Sequence, residues 1–166
     1  MGDTVLLTGA GGAVGEAVLD GLRDEYDWKL MFHSPPVEEP DFPYVVGGVE
    51  DAEDVAAAVE GVDSIIHLAG DPRPDAPWKS VLTNNIDGTQ KMYEAAIDED
   101  VERFVYASSN HAVGAFESDE RTPEMYRAHD EFRLDGTEFP RPGNLYGVSK
   151  ATGEILGRYY HDEYGI

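Results

Sequence analysis

The sequence predicts an α/β fold: a doubly wound parallel sheet with helices on both faces. Three observations lead there. Short, almost continuously apolar runs alternate with segments of helical spacing. Strands buried on both faces carry that kind of run, whereas half-exposed strands alternate. A glycine-rich turn also joins the first apolar run directly to the first helix.

Each element can be justified in order. Thr4–Thr8 (TVLLT) is a first strand. Gly12 to Arg23 has helical spacing through Val14, Val18, Leu19 and Leu22. Trp28 to Phe32 is a second strand. Ser34 to Pro43 holds four prolines and reads as a loop. Tyr44–Val46 is a third strand, and 51–59 a helix with Asp51 placed as its cap. Ser64 to Leu68 is a fourth strand, Trp78 to Ile97 a long helix, Arg103 to Ala107 a fifth strand, and Leu145–Tyr164 a last helix. A ligand belongs at the carboxyl ends of such strands, near the switch in strand order. The expectation is one dinucleotide-binding domain, residues 1–166, with a substrate-binding part beyond Ile166, because an open sheet would continue there.

Composition narrows the function. The chain has 166 residues, 34 Asp plus Glu against 12 Lys plus Arg, and a formal charge of −22. It has no cysteine, which removes disulfide scaffolds, thiolate metal sites and a cysteine nucleophile. The acidity argues against nucleic acid and against an anionic membrane surface, since both are bound through Lys and Arg. No apolar run reaches a membrane span and no signal peptide is visible, so a cytoplasmic protein is expected. Periodic apolar residues oppose disorder. The acidic, lysine-poor surface predicts a halophilic protein, with an ordinary acidic cytosolic protein as the alternative.

The turn reads Thr8-Gly9-Ala10-Gly11-Gly12-Ala13-Val14-Gly15. Gly9 permits the tight turn, Gly12 lets backbone approach a pyrophosphate, and Gly15 lets helix and strand close together. The helix N-terminus adds free N–H groups and a positive dipole end. This is a Rossmann-type strand–turn–helix for NAD or NADP. An acid is expected about 20 residues on, at the end of the second strand, to hold the adenosine ribose. Phe32 stands there instead, with His33 and Ser34 following. These three are candidate contacts for the adenosine half. Strand-end packing is the alternative for His33.

Tyr146 and Lys150 are four apart on a helix and share a face. Tyrosine is too weak an acid to serve as a base at neutral pH unaided, and a nearby ammonium corrects that. The fifth strand runs into Ser108-Ser109-Asn110-His111 at the sheet's carboxyl edge, where Ser109 can donate to a substrate oxygen. His67, at a strand end, reads as a core residue.

At these residues the sequence resembles the extended short-chain dehydrogenase/reductase family. The matching motifs are Thr8–Gly15, His67-Leu-Ala-Gly70, Asn85, Ser108-Ser109 and Tyr146-x-x-x-Lys150. The resemblance implies Tyr146 as base, Lys150 as its pKa depressor and ribose ligand, Ser109 as orienting hydroxyl, and Asn85 as an active-site asparagine. It adds Val49, Leu68, Ala69 and Gly70 to the cofactor contacts. Ser108–Gly114 and Asn144–Lys150 look like the uronate dehydrogenase branch. His67–Pro74, Asn84–Gly88 and Phe132–Gly136 look closer to the NAD-dependent glucose-6-phosphate dehydrogenases of haloarchaea. Under that reading Ser109, Asn110, His111 and Tyr146 meet the sugar, and its C1 hydroxyl is oxidised to a lactone. Relatives carry acids where this chain has Phe32 and Gly48, so either NAD or NADP is admitted. Alternatives are a uronate or aldose dehydrogenase, a nucleotide-sugar epimerase, and a non-catalytic dinucleotide-binding regulatory protein. Arg121, Arg127, Arg133 and Arg141, or Arg73 and Lys79, are candidates for a sugar phosphate, with surface ion pairing as the alternative. No metal site is expected. A homodimer through the two long helices is implied by the family.

Overall fold

A computed structural model describes residues 2–116 and 134–166. The described residues form five strands: β1 (Thr4–Thr8), β2 (Asp27–Phe32), β3 (Tyr44–Val46), β4 (Ser64–His67) and β5 (Arg103–Tyr106). They lie in the order β3-β2-β1-β4-β5, and every pairing is parallel. The chain winds outward from β1 to β3, then returns to place β4 on the other side of β1. The order therefore switches between β1 and β4, which is where the sequence placed a ligand.

β1 is central because it is apolar toward both faces. Leu6 joins one layer with Val55, Val59, Met92 and Ala96, from α2 (Ala52–Val59) and α4 (Gly88–Asp98). Val5 and Leu7 join the other with Trp28 and Leu30, covered by Val18 and Leu19 of α1 (Ala13–Leu22). Burying each such side chain contributes roughly 1.5–3 kcal/mol. Helices thus cover both faces, though unequally: Val105 on β5 stays 57% exposed.

Asp51 caps α2 as its position suggested, its carboxylate accepting from the N–H groups of Glu53 and Asp54. The long helix differs from the expectation of one regular rod. It comprises α3 (Trp78–Ser80), a π-helical segment at Val81–Asp87, and α4, with helical backbone across each junction. Gly88 N–H bonds the carbonyl of Thr83, five residues back. Such wide turns leave no mark in apolar spacing and occur often at functional sites. β4 stops at His67 rather than Leu68, because the Leu68 and Ala69 N–H groups donate to the Thr8 hydroxyl.

α5 (Leu145–Tyr164) begins with Asn144, whose side chain accepts from Gly147 N–H at 2.7 Å. It ends at Gly165, whose φ of 83° turns the chain left-handed. Gly153 lets it approach the sheet: a Cβ there would stand 2.2 Å from the Tyr106 ring. A 3-10 segment at Asn110–Phe116 was not expected from the sequence. No helix among the described residues is long and apolar enough to cross a membrane.

Candidate active site

The site is a cleft of about 800 Å³ along the carboxyl ends of the strands. The glycine turn forms its floor. Gly9 has φ 68°, and a Cβ on it would meet the backbone of Leu68 and Ala69 at 3.0–3.1 Å. A Cβ on Gly15 would stand 2.5 Å from the Gly9 carbonyl oxygen. Gly12 precedes α1 with no side-chain cap, so the first N–H groups of that helix remain available to an anion. This cradle fits a dinucleotide pyrophosphate.

Of the other expected cofactor residues, Tyr146 and Lys150 are not among those lining this cleft, and the rest are. Ala13 and Val14 continue from the turn, Phe32, His33 and Ser34 come from the end of β2, Val49 follows β3, and Leu68, Ala69 and Gly70 follow β4. Phe32 lies against Gly11 and meets Tyr44 edge-on at 6.0 Å. The structure adds Gly11, Met31, Gly47, Glu50, Asp71, Pro72, Arg73 and Asn84, which sequence reasoning did not assign to the cofactor.

Thr8 ties the turn to β4. Its hydroxyl oxygen accepts from Leu68 and Ala69 N–H, both at 3.1 Å, and lies 2.9 Å from Nδ1 of His67. Nε2 of His67 is 3.2 Å from the Thr89 hydroxyl. His67 is fully buried, as expected of a core residue, and burial together with Lys150 lowers its pKa to about 3.

The chemical residues sit where β5 and α5 meet. Lys150 is 6% exposed, and its ammonium donates to the Ala107 carbonyl at 2.8 Å. It lies 4.9 Å from the Tyr106 ring centre and 5.7 Å from that of Tyr146. Burial lowers its pKa to about 8. The Tyr146 ring meets His111 edge-on at 5.6 Å. His111 is held in turn by Asn144, whose Nδ2 donates to its Nδ1 at 2.9 Å. Gly147 makes this possible, since a Cβ there would stand 2.1 Å from the His111 carbonyl oxygen. The Ser109 hydroxyl accepts from His111 N–H at 3.2 Å and donates to Asn110 Oδ1 at 3.3 Å, so these three form one corner.

Asn85 lies in the π-helical segment and is 2% exposed. Its Oδ1 accepts from Asp71 N–H at 2.7 Å. Its Nδ2 donates to the Asp71 carbonyl at 3.0 Å and to the Ser149 hydroxyl at 3.1 Å, and Ser149 donates to the Tyr146 carbonyl. Asn85 therefore links the loop after β4 to the helix carrying Tyr146. That loop ends in a tight pair: Arg73 donates to both Asp71 oxygens at 2.9 and 2.6 Å, and Ser80 donates to Oδ2 at 2.6 Å. The Arg73 guanidinium holds the Asp71 carboxyl well below the usual carboxylate range.

Of the phosphate candidates, Arg121, Arg127 and Arg133 lie outside the described residues. Arg141 lies over the Phe116 ring at 4.6 Å. Asn144 and Ser149 were missed as positioning residues. For Asn144 a signal existed, since an asparagine before an apolar helix is a cap.

The model of the NAD dependent epimerase/dehydratase family matches residues 5–166. The chain belongs to that family. It is 60% identical over 172 residues to the NAD-dependent glucose-6-phosphate dehydrogenase of Haloferax volcanii, covering 100% of this chain and 66% of that protein. It is 38% identical to the L-arabinose 1-dehydrogenase (NAD(P)(+)) of the same organism, covering 98% and 63%. Among solved structures, a variant of uronate dehydrogenase from Agrobacterium tumefaciens complexed with NAD superposes with a TM-score of 0.82 at 34% identity, covering 98% of this chain and 57% of that one. The chain thus spans less than two thirds of the length of each of these relatives.

Proposed function

We propose that this chain is the dinucleotide-binding and catalytic part of an NAD(P)-dependent sugar dehydrogenase. Its substrate is glucose 6-phosphate, and the C1 hydroxyl of the pyranose is oxidised to the lactone. The observation that carries the reading is the buried Lys150 ammonium 5.7 Å from the Tyr146 ring centre, in a chain whose first strand and helix form a glycine cradle shaped for a dinucleotide. The similarity to the Haloferax glucose-6-phosphate dehydrogenase supports this sugar over a uronate.

The bound dinucleotide supplies the hydride acceptor. Tyr146 takes the C1 hydroxyl proton on its phenol oxygen. Lys150 favours the phenolate electrostatically, and its burial strengthens that effect by excluding water. Ser109 holds the oxygen that becomes the carbonyl, and Asn110 and His111 meet the ring. Asn85 positions Tyr146 through Ser149. The remaining cradle residues, from Gly9 to Gly15, hold the pyrophosphate through backbone.

The protein works in the cytoplasm at high salt, in keeping with its charge of −22 and its halophilic relative. It pairs with a second copy through α4 and α5. Ile155, Tyr159 and Tyr164 leave an apolar strip exposed there, whereas Met92, Tyr93 and Tyr160 are buried within the chain.

The test is the initial rate of NAD and NADP reduction by the full-length protein in molar salt. Glucose 6-phosphate, glucose, glucuronate and arabinose are compared. The highest kcat/KM is expected for glucose 6-phosphate. A preference for glucuronate moves the protein to the uronate branch. Dinucleotide binding without turnover on any sugar replaces the enzyme by a binding protein.

A further inference from the structure

Lys150 carries a buried charge with no opposite charge to meet it. It is 6% exposed, and among the described residues no carboxylate pairs with it. One ammonium hydrogen goes to the Ala107 carbonyl at 2.8 Å. A buried cation with a single carbonyl partner is unfavourable unless something else supplies negative potential. The titratable groups on the elements around it are engaged elsewhere. On α5, Glu154 is exposed and accepts from the Ser108 hydroxyl. On β4, His67 is neutral. On α4, Tyr93 is stacked on Phe104 and Tyr160, and burial raises its pKa to about 12. In the π-helical segment, Asp87 pairs with Lys91, and in the 3-10 segment His111 meets the Tyr146 ring.

What the ammonium does meet is aromatic. It stands 4.9 Å from the centre of the Tyr106 ring and 5.7 Å from that of Tyr146. The Tyr146 contact is the longer, and its oxygen exchanges a proton in the proposed reaction. Tyr106 stays constant. It ends β5, one residue before the carbonyl that Lys150 bonds. A Cβ on Gly153 would stand 2.2 Å from its Cζ, so α5 packs directly on the ring, and the His67 ring lies 6.2 Å away at an angle of 30°. Its hydroxyl is buried and makes no hydrogen bond among the described residues, so no polar contact explains the position. Burial also raises the pKa of that hydroxyl, which keeps it a neutral phenol while Lys150 titrates. The negative face of a neutral ring attracts a cation, most strongly where water is excluded.

We propose that Tyr106 is a positioning residue for the reaction: the face of its ring holds the Lys150 ammonium beside Tyr146. It acts on the chemistry through Lys150. Its importance for turnover rests on the role given to Lys150 under the proposed function, whereas the contact itself does not.

The experiment alters the charge of the ring face and keeps the ring. Tyr106 of the full-length protein is replaced by phenylalanine (Tyr106→Phe) and by trifluorophenylalanine, whose fluorines draw electron density from the face. The Lys150 ammonium is titrated by NMR in lysine-labelled protein, its signal assigned by its loss in Lys150→Met. The pH dependence of kcat with glucose 6-phosphate is recorded beside it. Tyr106→Phe leaves the midpoint where the wild type has it. The trifluoro ring lowers the midpoint by about one pH unit, the scale of a desolvated cation–ring contact. The alkaline limb of kcat, where Lys150 loses its proton, moves down with it. A midpoint that the trifluoro ring leaves unchanged overturns the proposal. So does a midpoint that Tyr106→Phe lowers equally, because the hydroxyl and not the face then holds the charge. A midpoint that falls while kcat keeps its limb leaves the contact standing and overturns the positioning role. Absence of wild-type turnover overturns the enzyme reading and leaves the NMR titration intact.

Discussion

The two ends of the cleft are built from different materials. At the β1–α1 turn the site is backbone, and its side chains matter because they are missing. A methyl on Gly15 would enter the Gly9 carbonyl, and one on Gly9 would enter the Leu68–Ala69 backbone. At the β5–α5 end the site is side chain held by side chain: Asn85 on Asp71 and Ser149, Asn144 on His111, Lys150 on the Ala107 carbonyl. The first end tolerates almost any neighbour that stays small. The second depends on partners 14 to 64 residues apart in sequence. Steric permission secures binding, whereas positioning for chemistry needs a buried polar network.

Three substitutions test that contrast. Tyr146→Phe has the largest expected effect. It removes the proton acceptor and nothing else, so kcat falls about a thousandfold. Dinucleotide affinity, measured by titration, stays within about twofold. A kcat within tenfold of wild type removes Tyr146 as the base. Gly15→Ala attacks the other end. Its Cβ would stand 2.5 Å from the Gly9 oxygen, an overpacking cost of about 1–3 kcal/mol. Dinucleotide Kd should rise at least about tenfold and Tm fall together, because one turn serves both. If Kd is unchanged while Tm drops, the cradle does not hold the cofactor.

Lys150→Met is the smallest in stability and the sharpest in sign. Burial lowers the folded pKa of Lys150 from 10.5 to about 8. Between those values the unfolded chain binds more protons, so stability rises with pH through that window. Below pH 8 the buried charge costs roughly 3 kcal/mol. The Met variant removes that cost but leaves the Ala107 carbonyl without its donor, about 1–2 kcal/mol. It should therefore melt higher than wild type at pH 7, by about 1 kcal/mol in stability, and lower at pH 10, with activity lost at both. A variant less stable at pH 7 shows that Lys150 carries no burial penalty.

The same contrast explains what the sequence made legible. The glycine turn was readable because its requirement is local: three missing side chains between a strand and a helix. That Tyr146 and Lys150 lie side by side was readable because one helical turn joins them. All five strands were found, with ends displaced by a residue where a side chain took over a backbone bond, as Thr8 does at Leu68. The π-helical segment was invisible, because apolar spacing does not show which carbonyl an N–H selects. The contacts of Asn144 with His111 and of Ser149 with Asn85 span 33 and 64 residues, and no spacing rule reaches that far.

The Thr8–His67 contact fixes where hydrogens reside. A hydroxyl oxygen has two lone pairs and one hydrogen. At Thr8 both lone pairs are engaged, by the N–H groups of Leu68 and Ala69. Its single hydrogen must then point at Nδ1 of His67, 2.9 Å away, so Nδ1 is bare. A neutral imidazole with a bare Nδ1 carries its hydrogen on Nε2, which donates to Thr89. One buried ring is thus locked in a single tautomer by the strand ends that frame the cleft. Its nitrogens should show the chemical shifts of the Nε2–H form at every pH above about 3, where the ring is neutral, with no exchange between tautomers.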